Sequence, residues 1–227
     1  MAKFELNGIT LRIPAKCLNN ELENALTSGR YESAESAALK RHAKAGDRLL
    51  DLGAGAGYVS ALGAQILGGA NVVSVEASSD MIDVLERNLK GNNAKDATVV
   101  HGAVVADSHV GDTVEFAMRP AFWASSIATE GVPKNIVHSM PALRLSDLLA
   151  EHRPSILMMD VEGGEVELCQ QALPDCVRLL IMEIHTKRYP LASVRAMFDG
   201  LSRNDMAYMP WGSRAEVLVF QRIGTEG

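Results

Sequence analysis

Residues 51 to 57, Asp51-Leu52-Gly53-Ala54-Gly55-Ala56-Gly57, place a carboxylate in a short apolar run that breaks into a turn of alternating glycines. Gly53, Ala54, Gly55 and Gly57 leave little side-chain bulk over the turn, so backbone can approach a nucleotide-like ligand closely. The spacing is G-x-G-x-G, with Tyr58 where a dinucleotide fingerprint has its third glycine. A carboxylate just before the first glycine would also repel a pyrophosphate. A nicotinamide dehydrogenase is therefore disfavoured. A cationic ligand such as S-adenosylmethionine, with its sulfonium and ammonium charges, fits better. The plainer alternative is a turn used only to pack a strand on a helix.

Ligands of open α/β sheets sit at the carboxyl ends of the strands, which makes the residue ending each apolar run worth reading. Glu76 lies 19 residues beyond Gly57, where a carboxylate can accept two hydrogen bonds from a ribose diol; its alternative role is support of a helix start. His101-Gly102-Ala103 ends the next run, in place to lie beside an adenine or to act as a structural histidine. Met158-Met159-Asp160-Val161-Glu162-Gly163-Gly164-Glu165 puts three carboxylates just past an apolar strand. A solvated helix start explains Glu165 but not Asp160, which directly follows buried residues. In Met182-Glu183-Ile184-His185, period-two alternation places Glu183 and His185 on one side. His185 beside Asp160 makes a polar cluster, with His185 the first candidate for a catalytic base and Asp160 the second. Asp160 and His185, with Glu162 or Glu183, are ligand types that suit a divalent metal, but no metal-specific spacing is present and none is expected.

The elements that must position these residues follow from the pattern of the chain. With 227 residues, 47% of them apolar, the chain can bury one substantial core. A single domain over 1–227 is expected, with 1–45 forming a ribbon and helix and 46–227 a core with an insertion around 104–145. Asn7-Gly8 between Lys3–Leu6 and Ile9–Ile13 predicts a β-hairpin. An Ala-rich helix over 33–45 stops at Gly46. Strands are expected at Arg48–Leu52, Val72–Glu76, Ala97–His101, Ser155–Asp160 and Val177–Ile184. The helices between and after them are expected at Tyr58–Leu67, from Ser78 or Ser79 to Gly91-Asn92, at Glu165–Ala172 and at Leu191–Leu201. Strands alternating with amphipathic helices mean a parallel sheet covered on both faces. Residues 104 to 145, with strand-like Thr113–Met118 and Asn135–Ser139 around Phe122-Trp123-Ala124-Ser125-Ser126, are too long for a simple connection and predict a β-excursion over the site. Ala207–Pro210 and Glu216–Gln221 predict a closing hairpin.

A formal charge of −6 with scattered Lys and Arg gives no basic field for nucleic acid. The start, Met1-Ala2-Lys3-Phe4-Glu5-Leu6, has no apolar targeting segment, and the longest apolar runs are too short to span a bilayer. A cytoplasmic protein is expected. Cys17, Cys169 and Cys176 are odd in number and lack CxxC spacing, which suggests neither a disulfide framework nor a zinc knuckle.

Together, Asp51 to Gly57, Val75-Glu76-Ala77, Met159-Asp160-Val161-Glu162-Gly163-Gly164-Glu165 and Met182-Glu183-Ile184-His185 resemble the FkbM family of S-adenosylmethionine-dependent methyltransferases. The Asp-Val-Glu-Gly-x-Glu segment is the most specific mark. The resemblance runs from about Tyr31-Glu32 to His185 and departs from the family at Ala56, where members often carry Asn, and at Ala77, where they often carry Pro. It implies an α/β, class I methyltransferase fold: a Rossmann-like seven-stranded sheet with its last strand antiparallel and helices on both faces, here preceded by an N-terminal β-ribbon. It also implies O-methylation of a hydroxyl on a small molecule or sugar. The cofactor set that follows from the loop, the strand ends and the resemblance together is Glu32, Asp51, Gly53, Ala54, Gly55, Gly57, Glu76, Ala77, Gly102, Ala103 and Asp160, around S-adenosylmethionine. The rival readings are an N-methyltransferase acting on an amine or protein side chain, in which Glu162 and Glu165 grip a cation, and a non-catalytic S-adenosylmethionine-binding interaction module.

Overall fold

A computed structural model describes residues 1–118, 125–128 and 132–225. The chain opens with the expected hairpin, β1 (Ala2–Leu6) and β2 (Ile9–Ile13), whose turn residues Asn7 and Gly8 both have positive φ, 51° and 83°. That pair of left-handed residues gives a turn whose twist matches the flanking strands. Next come α1 (Asn20–Thr27), α2 (Ser33–His42), β3 (Leu49–Leu52), α3 (Tyr58–Leu67), β4 (Val72–Glu76), α4 (Ser79–Gly91) and β5 (Thr98–His101). The ribbon is held to α4 by side-chain amides: the Arg12 N–H donates to Asn88 Oδ1 (2.9 Å) and the Thr10 N–H to Asn92 Oδ1 (2.8 Å). These bonds satisfy backbone groups that the ribbon would otherwise leave open at a sheet edge.

The excursion forms a four-stranded sheet of its own, from β6 (Ala103–Val105), β7 (Thr113–Ala117), β8 (Ser126–Ile127) and β9 (Val137–Arg144), in the order β6-β9-β7-β8. The aromatic stretch Phe122-Trp123-Ala124 lies outside the described residues. The chain returns to the core through α5 (Leu145–His152), β10 (Ile156–Met159), α6 (Glu165–Leu168), β11 (Leu179–Glu183) and α7 (Leu191–Arg203), and ends in β12 (Met206–Arg214) and β13 (Val217–Arg222).

The main sheet has seven strands in the order β5-β4-β3-β10-β11-β13-β12, with the first five parallel and β13 antiparallel to both its neighbours. Each residue type along β3 has a reason for its side. Leu49 joins a core layer with α2, α3 and the ribbon, whereas Leu50 and Leu52 join a second layer with α5 and α7. The parallel strands read as continuous apolar runs because both faces are covered. The strand order reverses between β3 and β10, and this switch opens a crevice at their carboxyl ends.

Besides shifted boundaries and the strands β6 and β8 inside the excursion, three helices differ from the sequence-based expectation. The helix from Glu165 is a single turn ending at Leu168 rather than continuing to Ala172. There the Cys169 carbonyl abuts α7 so closely that a Cβ on Gly200 would lie 2.2 Å from it, and the following segment turns away along α7. Helix α1, capped by Asn19 accepting from the Leu22 N–H (2.8 Å), and helix α5 were not expected. Among the described residues, no helix is long and apolar enough to cross a membrane.

At the amino ends of the strands, away from the crevice, a buried ion pair ties three segments together. Arg178, just before β11, donates through Nε to Asp47 Oδ1 (2.9 Å), and its second nitrogen pairs with Asp47 Oδ2 and with the His42 carbonyl (2.8 Å). The Ser155 hydroxyl, just before β10, also donates to Asp47 Oδ1 (2.7 Å). Burial alone would push the Asp47 carboxyl up, but these donors outweigh it and hold it below its ordinary value. Removing one partner leaves the other charge buried, so Arg178→Ala is expected to cost about 3–5 kcal/mol, read from urea denaturation. The depressed carboxyl contributes stability that is present above the ordinary Asp value and lost as pH falls through the lower folded-state value. The deficit of Arg178→Ala should therefore be full at neutral pH and shrink in that acid window; a deficit independent of pH, or below about 1 kcal/mol, would contradict the tie.

Candidate functional site

The glycine loop follows β3 with φ of 86° at Gly53, 51° at Gly55 and 83° at Gly57. Its N–H groups are largely spent on the fold. Those of Gly53 and Ala54 both donate to the Val75 carbonyl (2.9 Å each), and that of Gly57 donates to the Ala54 carbonyl (2.8 Å). The Gly55 N–H donates to Glu76 Oε2 (2.8 Å), while Glu76 Oε1 accepts from the Ser78 N–H (2.6 Å). Glu76 thus braces the loop as well as facing the crevice. Gly53 is required by packing: a Cβ there would lie 1.8 Å from the backbone oxygen of Asp160, at the end of the neighbouring parallel strand β10. The glycines make room for protein backbone and for Leu85, which a Cβ on Gly57 would meet at 2.6 Å.

At the switch point lies a cavity of about 400 Å³. Of the cofactor residues expected from sequence, Glu32, Gly53, Gly55, Glu76, Ala77, Gly102, Ala103 and Asp160 line it. Asp51, Ala54 and Gly57 do not. Strand alternation turns Asp51 toward α3, where it accepts from the Ser60 hydroxyl, which in turn accepts from Ser74 (2.7 Å). Asp51 is sealed behind the loop rather than presented to a ligand, and burial raises its carboxyl to about 6. The cavity also takes Arg30, Tyr31 and Glu35 from the start of α2, Glu183 from β11, Arg214 and Glu216 from the terminal hairpin, and Phe116 and Ile127 from the excursion. Of these, Glu183 was legible as a strand-end carboxylate; the others come from segments with no motif of their own.

The cavity wall is strongly acidic. Burial is the first cause raising Glu32, Glu35, Glu76 and Asp160, and it lifts Glu183 to about 7. Glu35 adds to the rise of Glu32, Asp160 and Glu183 by like-charge repulsion. Glu32 stands in the left-handed region, φ 43°, and the adjacent Tyr31 side chain works against the rise of its carboxyl. A left-handed non-glycine residue is held against a backbone cost of about 1–3 kcal/mol, at the position where the chain enters α2 beside the cavity.

At the ends of β10 and β11 the expected polar cluster is present. His185 Nδ1 meets Glu165 Oε1 at 2.8 Å, and its Nε2 lies 3.6 Å from Asp160 Oδ1 and 3.4 Å from Glu162 Oε2. Glu162 is also paired with Arg188 at 2.6 Å. Burial disfavours charge on His185, but its hydrogen bonds to Glu162 and Glu165 and the field of Asp160 dominate, lifting it to about 11. At neutral pH this imidazole holds its proton, and His185 does not line the cavity. The carboxylates of Asp160, Glu162 and Glu165 around it favour this cationic form over the neutral ring that a proton acceptor needs.

Comparison with known proteins agrees with this architecture. The sequence model of the methyltransferase FkbM domain matches residues 51–205, from the glycine loop through α7. Among solved structures, a methyltransferase FkbM from Methylobacillus flagellatus is similar over 91% of this chain and 56% of its own, at 13% identity and a TM-score of 0.52. Trm1 from Pyrococcus horikoshii, solved with S-adenosyl-L-methionine, is similar over 97% of this chain and 60% of its own, at 12% identity and a TM-score of 0.52. This chain thus spans little more than half the length of either. No curated protein matches it by sequence. The seven-stranded sheet with its antiparallel β13 is the class I methyltransferase fold, and with two thirds of its residues covered by the family's sequence model, the chain belongs to the FkbM methyltransferase family.

Proposed function

We propose that the protein transfers a methyl group from S-adenosylmethionine to a hydroxyl oxygen of a small molecule or sugar. The observation that carries this reading is the ring of buried carboxylates around a cavity at the sheet's switch point, in a chain of a methyltransferase family. Carboxylates held in a low-dielectric wall, where burial disfavours their charged forms, gain most from a cationic ligand that restores the charge, and a pyrophosphate would disfavour it further. Glu76 would hold the ribose diol, Gly102 and Ala103 would border the base, and Glu32 and Asp160 would face the charged end. The cofactor, when bound, supplies an electrophilic methyl and leaves as the neutral thioether. The chain's own task is to set the acceptor oxygen in line and to receive the proton released as the O–C bond forms. A free alcohol has a pKa near that of water, about 15.7, so no carboxylate ionises it in advance. The cluster at the ends of β10 and β11 is where that proton goes.

The first test is calorimetric titration with S-adenosylmethionine, followed by a screen of hydroxyl and amine acceptors with labelled cofactor. Glu76→Ala removes a carboxylate that accepts two backbone N–H bonds and the proposed ribose bonds. At about 1.5–3 kcal/mol for a hydrogen bond to a charged group, cofactor affinity should fall roughly 10- to 100-fold. Unchanged affinity in folded Glu76→Ala would remove the cofactor assignment. An amine methylated in preference to every hydroxyl would overturn the O-methylation reading alone, and binding without turnover of any acceptor would favour the non-catalytic module.

A further inference from the structure

The cluster at the ends of β10 and β11 has the geometry of a metal centre. We propose that Asp160, Glu183 and His185 bind one divalent first-row transition-metal ion. A carboxylate oxygen from each acid and a ring nitrogen of the histidine all lie within 4.8 Å of one another. Three ligands at 2.0–2.2 Å from one ion stand roughly 3–4 Å apart, so side-chain rotations that draw the groups in by up to about 1–2 Å close the set. The acids come from neighbouring parallel strands in register, since Met159 pairs with Met182 immediately before them. Their spacing is set by the sheet and does not depend on a loop.

Two observations separate this cluster from an ordinary group of acids. Asp160 Oδ1 is shut off from solvent and accepts no hydrogen bond from any described residue, although it points toward His185 Nε2 at 3.6 Å. A buried acceptor left without a donor calls for a partner that the protein itself does not supply. Second, fully buried Glu165 accepts from His185 Nδ1 at 2.8 Å, and the Gly163 N–H donates to the same Glu165 oxygen at 3.1 Å. This brace fixes the ring and leaves Nε2 aimed at Asp160, the arrangement of carboxylate, histidine and ion in which an outer carboxylate orients a ligating imidazole. Glu162, the other acid nearby, already has Arg188 as its cation at 2.6 Å.

On binding, the ion displaces the proton that His185 holds in the ion-free protein, and one imidazole with two carboxylates suits Mn²⁺, Fe²⁺, Co²⁺ or Zn²⁺ better than Ca²⁺, which takes oxygen ligands. Because Asp160 and Glu183 also line the cavity, three protein ligands leave positions open toward it, as in metal sites that bind a substrate oxygen. An ion there would act on the acceptor oxygen as a Lewis acid.

The site is tested without cofactor or acceptor, so that its failure and the failure of the methyl-transfer reading are distinct. Chelator-stripped full-length protein is titrated with Mn²⁺ while free Mn²⁺ is followed by electron paramagnetic resonance, and in parallel with Co²⁺ while its visible spectrum is recorded. One Mn²⁺ per chain and a Co²⁺ spectrum of protein coordination are expected. Both should weaken at least tenfold in Glu183→Gln and in His185→Ala. Glu183→Gln keeps the shape of the strand end and carries the test if His185→Ala does not fold, as judged by circular dichroism. Wild-type protein that binds neither ion, or binding undiminished in folded Glu183→Gln, would overturn the proposal.

Discussion

Glu183→Gln is expected to lower methyl-transfer turnover by about 10²–10⁴-fold, the range for loss of a group that handles the proton in the transition state. Glu183 is the last residue of β11, lines the cavity, and is raised by burial first and then by the neighbouring Glu35. The amide keeps the size of the side chain and its place beside Asp160 but removes the charge that draws the acceptor's proton in the ion-free protein, or that holds the proposed ion against the acceptor oxygen. Glu183 is remote from the Glu76 brace, so cofactor affinity should stay within a few-fold of wild type. Single-turnover rates with an acceptor found in the screen, set beside calorimetric affinity, make the measurement. A rate within tenfold of wild type would show that this carboxylate takes no part in the chemistry, and a large loss of cofactor affinity would move it to the binding side.

Gly53→Ala is expected to be as damaging by a wholly different route. The residue has φ 86°, and its added Cβ would lie 1.8 Å from the Asp160 carbonyl oxygen, a backbone atom that cannot rotate away. Left-handed backbone costs roughly 1–2 kcal/mol for a residue with a Cβ, and overpacking typically adds about 1–3 kcal/mol. The expected loss of stability is thus about 2–5 kcal/mol. Relief of the clash requires the loop and Asp160 to part, which disturbs both halves of the cavity at once. Cofactor affinity should fall at least about 100-fold, the equivalent of about 2.7 kcal/mol. Denaturant unfolding and calorimetry on the same preparation check both. A protein with wild-type midpoint and affinity would mean that the two strand ends do not approach as closely as described.

Much of this arrangement could be read from the chain. The strands around β3, β4, β10 and β11 stand out because burial on two faces demands unbroken apolar runs, and the carboxylates that end them, Glu76, Asp160 and Glu183, all reach the cavity. What the sequence does not give is the face on which a strand-end side chain lies. Asp51 falls on the α3 side and is consumed by Ser60, and His185 passes beyond the cavity into the grip of Glu165. Helix α5 was hidden for a local reason. It continues directly from β9 with no breaker, and Arg144 at its start makes no side-chain cap. Its buried Leu145, Leu148 and Leu149 keep helical spacing, but without a boundary they read as more of the excursion. Glu35 and Arg214 reach the cavity from either end of the chain, and such meetings depend on tertiary packing that no local pattern encodes.

The excursion bears on how such a protein changes over generations. Phe116 and Ile127, from β7 and β8, face the cavity, whereas the loop, Glu76 and the strand-end carboxylates all belong to the main sheet and its connections. The excursion leaves that sheet at Gly102, whose N–H donates to the Glu76 carbonyl at 2.9 Å, and rejoins it through α5. Substitutions, insertions or deletions between those two junctions can reshape one wall of the cavity while the loop, Glu76 and the strand-end carboxylates stay as they were. Variation in the shape of the cavity and preservation of its acidic side are thereby assigned to separate stretches of sequence, and a lineage can alter the first without gambling the second.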